Sequence, residues 1–351
     1  MVFRELLSLS STIIKSNFVT LKRPYKLNFA ITYLCNSRCL ICNIWKIKPK
    51  NELTLDEIKR FAEKNNYFKW IELTGGEPFL RSDIVEIAKT FKENSKDLFL
   101  LTIPTNSLVE HNLVENKIRQ ILDLKIPKVA ITISLDGYKE LEDRLRGVPG
   151  NYEKAIDLYK RLKQLQKSYK NLYVVFGYTL SALNKGEFMK TFEAVKQDIP
   201  EITYNDFYIN LAQISDYYKN SNLKISTYGK EVAEEIKSIV EKRKKTLSPF
   251  DIIEERFLKG LVYFAETGKM PMPSRSLEAS IFLDSYGNVF PSIMWNKKIG
   301  NIRETNYDIS PILKSNDAEE VHKVVKEGRE PLQWTACEAY QSIVGNLLHK
   351  T

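Results

Sequence analysis

The strongest constraint on this chain is its rhythm of strands and helices. From residue 25 to 213, short apolar runs alternate with helix-like segments. The runs at 26–34, 70–74, 98–104, 128–136, 172–180 and 203–213 read as strands. Between them, 54–65, 82–94, 110–124, 152–169 and 185–197 carry helical spacing. Thr54 with Glu57 three residues on has the capping-box pattern, and Ser82 is expected to open the next helix. Repeated strand–helix units require right-handed crossovers and a mainly parallel sheet with both faces covered. Six strands fall short of the eight that close a barrel. The expected fold class is therefore α/β, a partial open barrel of six strand–helix units with a small α+β C-terminal appendage. Ligands of such sheets gather at the carboxyl ends of the strands.

The chain divides into an N-terminal amphipathic helix (1–24), the partial barrel (25–230) and a C-terminal region (231–351). In the last, 228–245 reads as a charged helix, 270–276 as a proline-containing linker and 281–295 as a hairpin around Asp284-Ser285-Tyr286-Gly287-Asn288. At the N-terminus, apolar residues at 3, 6, 7, 13, 14 and 18 stand near helical spacing. Two readings stay open there: a helix packed on its own domain, and a membrane-surface helix with Lys15, Lys22 and Arg23 near headgroups. Glu5 interrupts what would be the apolar core of a signal peptide, and no stretch is long and apolar enough to span a membrane. The expected location is cytoplasmic.

Composition narrows the chemistry. The net charge of +9 suits an anionic partner or a lysine-rich solvated face, but no basic stripe with interleaved aromatics points to nucleic acid. Only His111, His322 and His349 are present, which supplies histidine-based catalysis poorly. Of four cysteines, three fall in one window, so a disulfide framework is excluded. Cys35, Cys39 and Cys42 form a C-x3-C-x2-C pattern directly after the first strand. Thiolates so placed favour an iron–sulfur cluster or zinc. Zinc normally wants a fourth protein ligand, and the only spare cysteine is the distant Cys337. A 4Fe–4S cluster on three cysteines keeps one iron open to a small molecule.

Three further motifs close successive strands: Thr74-Gly75-Gly76-Glu77-Pro78, Thr105-Asn106-Ser107 and Ser134-Leu135-Asp136-Gly137, the last followed by Arg144 and Arg146-Gly147. Two glycines allow close approach of backbone to a ligand. Together with the cysteines, these motifs resemble the radical S-adenosylmethionine (radical SAM) superfamily over residues 26–215. The resemblance implies one 4Fe–4S cluster on Cys35, Cys39 and Cys42, with S-adenosylmethionine chelating its open iron. It implies Gly75, Gly76, Glu77, Pro78 and Asn106 among the cofactor-binding residues, Glu77 being the acceptor for the methionyl ammonium, and Thr105, Ser134 and Asp136 near the ribose. Arg146 would meet the methionyl carboxylate, and Ile41 with Leu40 would shelve the adenine. The implied activity is reductive cleavage to a 5′-deoxyadenosyl radical that modifies a peptide or small metabolite, fed by a ferredoxin- or flavodoxin-type electron donor. A membrane lipid substrate and a non-catalytic metal-binding scaffold are the alternatives.

The C-terminal region resembles the SPASM or twitch appendage of that superfamily, through Phe282-Leu283-Asp284, Gly287-Asn288-Val289-Phe290-Pro291, Gly300-Asn301-Ile302 and Trp334-Thr335-Ala336-Cys337. Ser276, Ser292, Glu330 and Gln333 stand where that resemblance would place cluster cysteines. No auxiliary cluster is therefore expected. Cys337 is read as a buried thiol or as a hydrogen-atom donor.

Overall fold

The computed structural model describes residues 2–246 and 248–347. Helix α1 (Val2–Ser16) leads into β1 (Lys26–Thr32). There follow α2 (Leu55–Lys64), β2 (Trp70–Gly75), α3 (Ile84–Asn94), β3 (Leu100–Thr105), α4 (His111–Asp123) and β4 (Lys128–Ser134). The series continues through α5 (Lys139–Arg146), α6 (Asn151–Ser168), β5 (Leu172–Leu180), α7 (Phe188–Asp198) and β6 (Phe207–Leu211). The C-terminal part holds α8 (Lys230–Lys242), α9 (Pro249–Thr267), β7 (Ser280–Leu283), β8 (Asn288–Phe290), β9 (Gly300–Asn301), α10 (Asn316–Lys326) and α11 (Ala336–Gly345).

Strands β1 to β6 pair in parallel and in sequence order, so the expected open α/β barrel is present. The C-terminal region joins the same sheet. β7 pairs parallel with the free edge of β1, and β8 and β9 extend it antiparallel, giving nine strands in the order β6-β5-β4-β3-β2-β1-β7-β8-β9. β1 is consequently flanked on both sides and buried throughout.

In β2, β3 and β4 burial alternates along the strand. Ile71, Leu73, Leu101, Ile103, Val129, Ile131 and Ile133 pack into the helix layer within one large core. Their alternates, among them Glu72, Thr102, Thr132 and Ser134, look into the barrel. The lumen is polar at its amino end, where α11 enters it: Lys26 Nζ donates to the Cys337 carbonyl, and Asn28 Nδ2 to Glu338 Oε1 at 3.0 Å.

Some local expectations need correction. α1 ends at Ser16, well short of residue 24. α3 starts after Asp83, not Ser82. The strand expected from 203 begins at Phe207, because Thr203 and Asp206 close a capped 3-10 turn first. Helix α9 was not anticipated, although Pro249 at its first turn and Gly268 in the left-handed region just beyond its end mark both limits. Among the described residues no helix is long and apolar enough to cross a membrane. His349 lies outside the described residues.

Candidate functional site

The three-cysteine loop leaves the carboxyl end of β1 and is clamped on two sides by backbone. On one side the end of α5 accepts from it, Arg38 N to Arg146 O at 2.9 Å and Leu40 N to Leu145 O at 2.8 Å. Gly147 makes this approach possible: it lies at φ +63, and a Cβ there would stand 2.6 Å from Arg38 O. On the other side Asn43 N donates to Tyr218 O at 2.8 Å and Asn220 Nδ2 to Ile41 O at 3.0 Å. The loop is thus tied to the protein on both sides.

Cys35, Cys39 and Cys42 line one cavity of about 230 Å³ at the strands' carboxyl ends, together with Ile41, Gly75, Gly76, Glu77, Thr105, Asn106, Ser134 and Arg146. Burial pushes the Cys35 thiol up to about 11 and the Cys42 thiol up to about 12, with the neighbouring thiols adding to both. Thiols kept protonated by burial become thiolates when a metal replaces the protons. Among the described residues no three His, Cys, Asp or Glu side chains stand close enough together to chelate a single ion. Three thiols sharing a cavity wall suit a cluster of several irons, whose ligating sulfurs lie further apart than those of one zinc. The donor set therefore fits an iron–sulfur cluster.

The glycine pair brings two backbones together. Gly75 sits at φ +134, and a Cβ there would stand 2.1 Å from Thr32 O; a Cβ on Gly76 would stand 2.3 Å from Leu34 O. Gly76 N and Glu77 N donate to those same carbonyls, each at 2.8 Å. The glycines let the end of β2 lie against the stem of the cysteine loop. Glu77, expected to accept from a ligand ammonium, accepts from protein groups. It is fully buried and accepts from Phe79 N (3.1 Å), Thr105 Oγ1 (3.0 Å) and Asn106 N (2.7 Å), which ties the ends of β2 and β3 together. Burial outweighs these donors and lifts its carboxyl to about 7. Pro78 opens a 3-10 turn, buried and away from the cavity wall. Asn106 Nδ2 reaches Asn36 Oδ1 at 2.8 Å and Cys35 Sγ at 3.7 Å, so it braces the loop.

Arg146 and Asp136 pair with each other. Arg146 Nη2 meets Asp136 at 2.8 Å, Nε meets Glu142 at 3.1 Å, and Nη1 points to Cys39 Sγ at 3.5 Å. Asp136 accepts from Thr179 N at 2.7 Å and does not line the cavity. Against the penalty of burial, Asp136, Cys39 and Glu142 together hold Arg146 charged. The trio forms a brace that aims a cation at Cys39. Ser134 and Ile41 do face the cavity; Leu40 is exposed and does not.

Part of the lining was not anticipated. It is built by Thr179, Asn210, Gln213, Tyr218, Thr335 and Cys337. Gln213 is only 6% exposed, yet neither its amide nitrogen nor its oxygen has a partner, and the Thr335 hydroxyl is equally unpaired. Such groups are expected to meet a ligand or water. The signal was available, since Thr179 and Gln213 close or follow β5 and β6 as the other motifs close β2 to β4. Cys337 Sγ faces Glu72 Oε1 at 3.4 Å, and burial keeps its thiol protonated.

Ser276, Ser292, Glu330 and Gln333 converge with Ser274 in one buried hydrogen-bonded knot. Ser292 Oγ donates to Gln333 Oε1 at 2.7 Å, Gln333 Nε2 donates to both Ser274 and Ser276 at 3.2 Å, and Ser274 N donates to Glu330 at 3.2 Å. His111 is held by Asp157 and the Ser107 carbonyl, a structural anchor for α4.

Residues 29–195 match the family model described as the Radical SAM superfamily. An AdoMet-dependent heme synthase of Methanosarcina barkeri is 28% identical over 192 residues, 53% of this chain and 51% of that protein. A probable GTP 3′,8-cyclase of Thermococcus kodakarensis is 31% identical over 166 residues, 46% of this chain and 50% of that protein. The chain spans about half the length of these curated relatives. Two solved structures share its fold. Native anSMEcpe with bound AdoMet and Cp18Cys peptide gives a TM-score of 0.58 at 16% identity, covering 93% of this chain and 96% of that one. Streptococcus suis SuiB bound to the precursor peptide SuiA gives 0.59 at 16% identity, covering 97% and 76%.

Proposed function

Residues 29–195 form a radical SAM domain, and from that premise we propose that the chain is a radical SAM enzyme holding one 4Fe–4S cluster on Cys35, Cys39 and Cys42, with S-adenosylmethionine beside it in the same cavity. When bound, the pair supplies a 5′-deoxyadenosyl radical by reductive cleavage of the sulfonium, the cofactor carrying the difficult chemistry. This chain's own residues hold and enclose it. The α5 end and the 215–220 segment fix the thiol loop, Glu77 locks the strand ends, and Arg146 offsets negative charge at Cys39. Ser134, Ile41 and the Gly75-Gly76 backbone also line the cavity. The observation that carries the reading is that the three thiols and the ends of β1 to β4 share one cavity.

The substrate is read as a peptide or a small polar metabolite. The unpaired amide of Gln213 and hydroxyl of Thr335 support this, offering a donor and acceptors in the same cavity as the thiols. The two peptide-bound neighbours have the same fold, and the curated relatives named for heme synthesis and GTP cyclisation keep the metabolite class in view. A single cluster is inferred because the Ser276–Ser292–Gln333 knot is filled by mutually bonded oxygens and nitrogens. The electron donor is proposed to be of ferredoxin or flavodoxin type.

Anaerobic reconstitution tests the whole reading. About four irons per chain are expected, with release of 5′-deoxyadenosine from S-adenosylmethionine on reduction. Cys35→Ala should lose both, and Cys337→Ser should keep the iron. Zinc in place of iron, or a cluster that releases no 5′-deoxyadenosine, would overturn it; about eight irons would overturn the single-cluster inference.

A further inference from the structure

Helix α1 is amphipathic in the wrong sense for a helix that merely packs on its own domain, which turns its apolar side inward. Its inward side is largely polar. Glu5 is 2% exposed and lies 3.7 Å from Lys92 Nζ, Ser8 Oγ donates to Asp97 at 2.7 Å, and Lys69 Nζ donates to the Ser8 carbonyl and the Thr12 hydroxyl. Only Leu9 and Ile13 reach the apolar cluster beneath, with Tyr25, Phe99 and Ala279. The outward side carries Phe3 (72% exposed), Leu7 (52%) and Ile14 (59%) at spacings of four and seven, and Phe18 (71%) follows.

The apolar surface continues beyond the helix. Phe250, at the start of α9, stacks parallel on Phe99 with centroids 6.4 Å apart and stays half exposed, with exposed Ile252 beside it in sequence. The flanks are basic. Lys15 in the last turn of α1 and Lys22 beyond it are exposed, as are Lys244 and Lys245 a few residues before α9, where Lys245 also faces Glu255. The carboxylates that touch α1 are already neutralised, Glu5 by Lys92 and Asp97 by Arg4 at 3.0 Å. A convex aromatic and aliphatic stripe bordered by lysines is the pattern of an interfacial helix, whose apolar side enters the acyl boundary while lysine stems reach up to phosphates. We propose that α1, with Phe250 and Ile252, is a docking face for an anionic lipid surface.

The placement separates this face from the cavity. Tyr25, Phe99 and Ala279 precede β1, β3 and β7, so α1 covers the amino ends of the strands while the cavity opens at their carboxyl ends. Docking would hold the chain on a membrane with its mouth turned to the solution. The inference is thus independent of the chemistry proposed above and does not make lipid the substrate.

Flotation of the full-length, cluster-loaded protein with vesicles decides the matter. Vesicles of phosphatidylcholine with phosphatidylglycerol should carry the protein up the gradient, and phosphatidylcholine alone should do so weakly. Phe3→Ser, Leu7→Ser and Ile14→Ser should each weaken partitioning roughly tenfold, with unchanged melting temperature because these side chains are exposed. Lys244→Gln and Lys245→Gln should each weaken it about fivefold and reduce its salt sensitivity. Absence of flotation with the anionic vesicles, or flotation indifferent to the triple serine variant, would overturn the proposal. So would sedimentation showing self-association that the triple variant abolishes, because the stripe would then be covered by a second copy.

Discussion

Gly75 shows how one residue can shape a site through its backbone alone. Its φ of +134 is costly for any side chain, and its missing Cβ is the space occupied by the Thr32 carbonyl. Gly75→Ala should destabilise the protein by about 3 kcal/mol, read as a shift in denaturant midpoint, and should loosen iron retention in proportion. A variant of native stability would show that the strand end can shift freely and that the glycine pair is not structural. Lys26 argues at the same scale. Fully buried in β1, it donates to the Cys337 carbonyl and to Gln341 Oε1, and its ammonium lies 3.9 Å from the Trp70 ring centroid. Lys26→Met should cost about 3 kcal/mol, the scale for stripping a partner from buried polar groups; chemical denaturation checks it. Residue types proved easier to read from sequence than partners. Glu77, Asp136 and Arg146 all lie at or behind the site, but their bonds run mainly to one another's elements, because burial obliges each charge to find a protein partner first. Gln213 escaped notice because a lone glutamine carries no motif, only an unpaired position in space.

Elements were legible where local chemistry marks their ends. The Thr54–Glu57 capping box expected from spacing forms as such, with Thr54 N donating to Glu57 Oε2 at 2.9 Å. The second task of Glu57 was invisible. Its carboxylate also takes Arg303 Nε at 2.6 Å and the Tyr307 hydroxyl at 3.1 Å, joining α2 to the segment after β9. No local pattern encodes a contact 246 residues away. Helix α9 is poorly marked for the opposite reason: its apolar residues surround several charges, and only Pro249 and Gly268 signal its limits. The Arg303 hydrogen bond, against a smaller burial cost, holds the Glu57 carboxyl down at about 2 from an ordinary 4.5. A depressed acid stabilises the fold at pH above its unfolded value and loses that contribution as pH falls through the folded one. Wild type should therefore exceed Arg303→Ala by about 1 kcal/mol near neutrality, the half-exposed arginine screening the pair. The difference should vanish between about pH 4.5 and 2, where both proteins carry a protonated Glu57. A gap that persists at the acid end would assign Arg303 a packing role instead.

At the scale of the molecule, the alternation of strands and helices dictated the parallel barrel, since few topologies bury such a series. What the alternation could not tell was where the returning chain would dock. A separate unit was expected from residue 231, yet Ser280–Leu283 pairs with Lys26–Phe29 and continues the sheet through that boundary. Four residues of ladder are a weak seam by themselves, but α11 fills the lumen behind it, bonding Lys26, Asn28 and Ser280 through Cys337, Glu338 and Gln341. Without α11 and β7, β1 would present a lysine and an asparagine to an empty lumen and an unpaired edge to solvent, a costly and aggregation-prone state. Barrel and C-terminal region should therefore unfold together. Calorimetry of the full chain should give one transition whose van't Hoff and calorimetric enthalpies agree. A fragment ending at residue 230 should fail to form a soluble, cluster-retaining barrel. Two resolved transitions, or a stable fragment with its irons in place, would mean that the β1–β7 seam is an interface between independent parts. The polar lumen would then have to be stabilised within the barrel itself, without the returning helix.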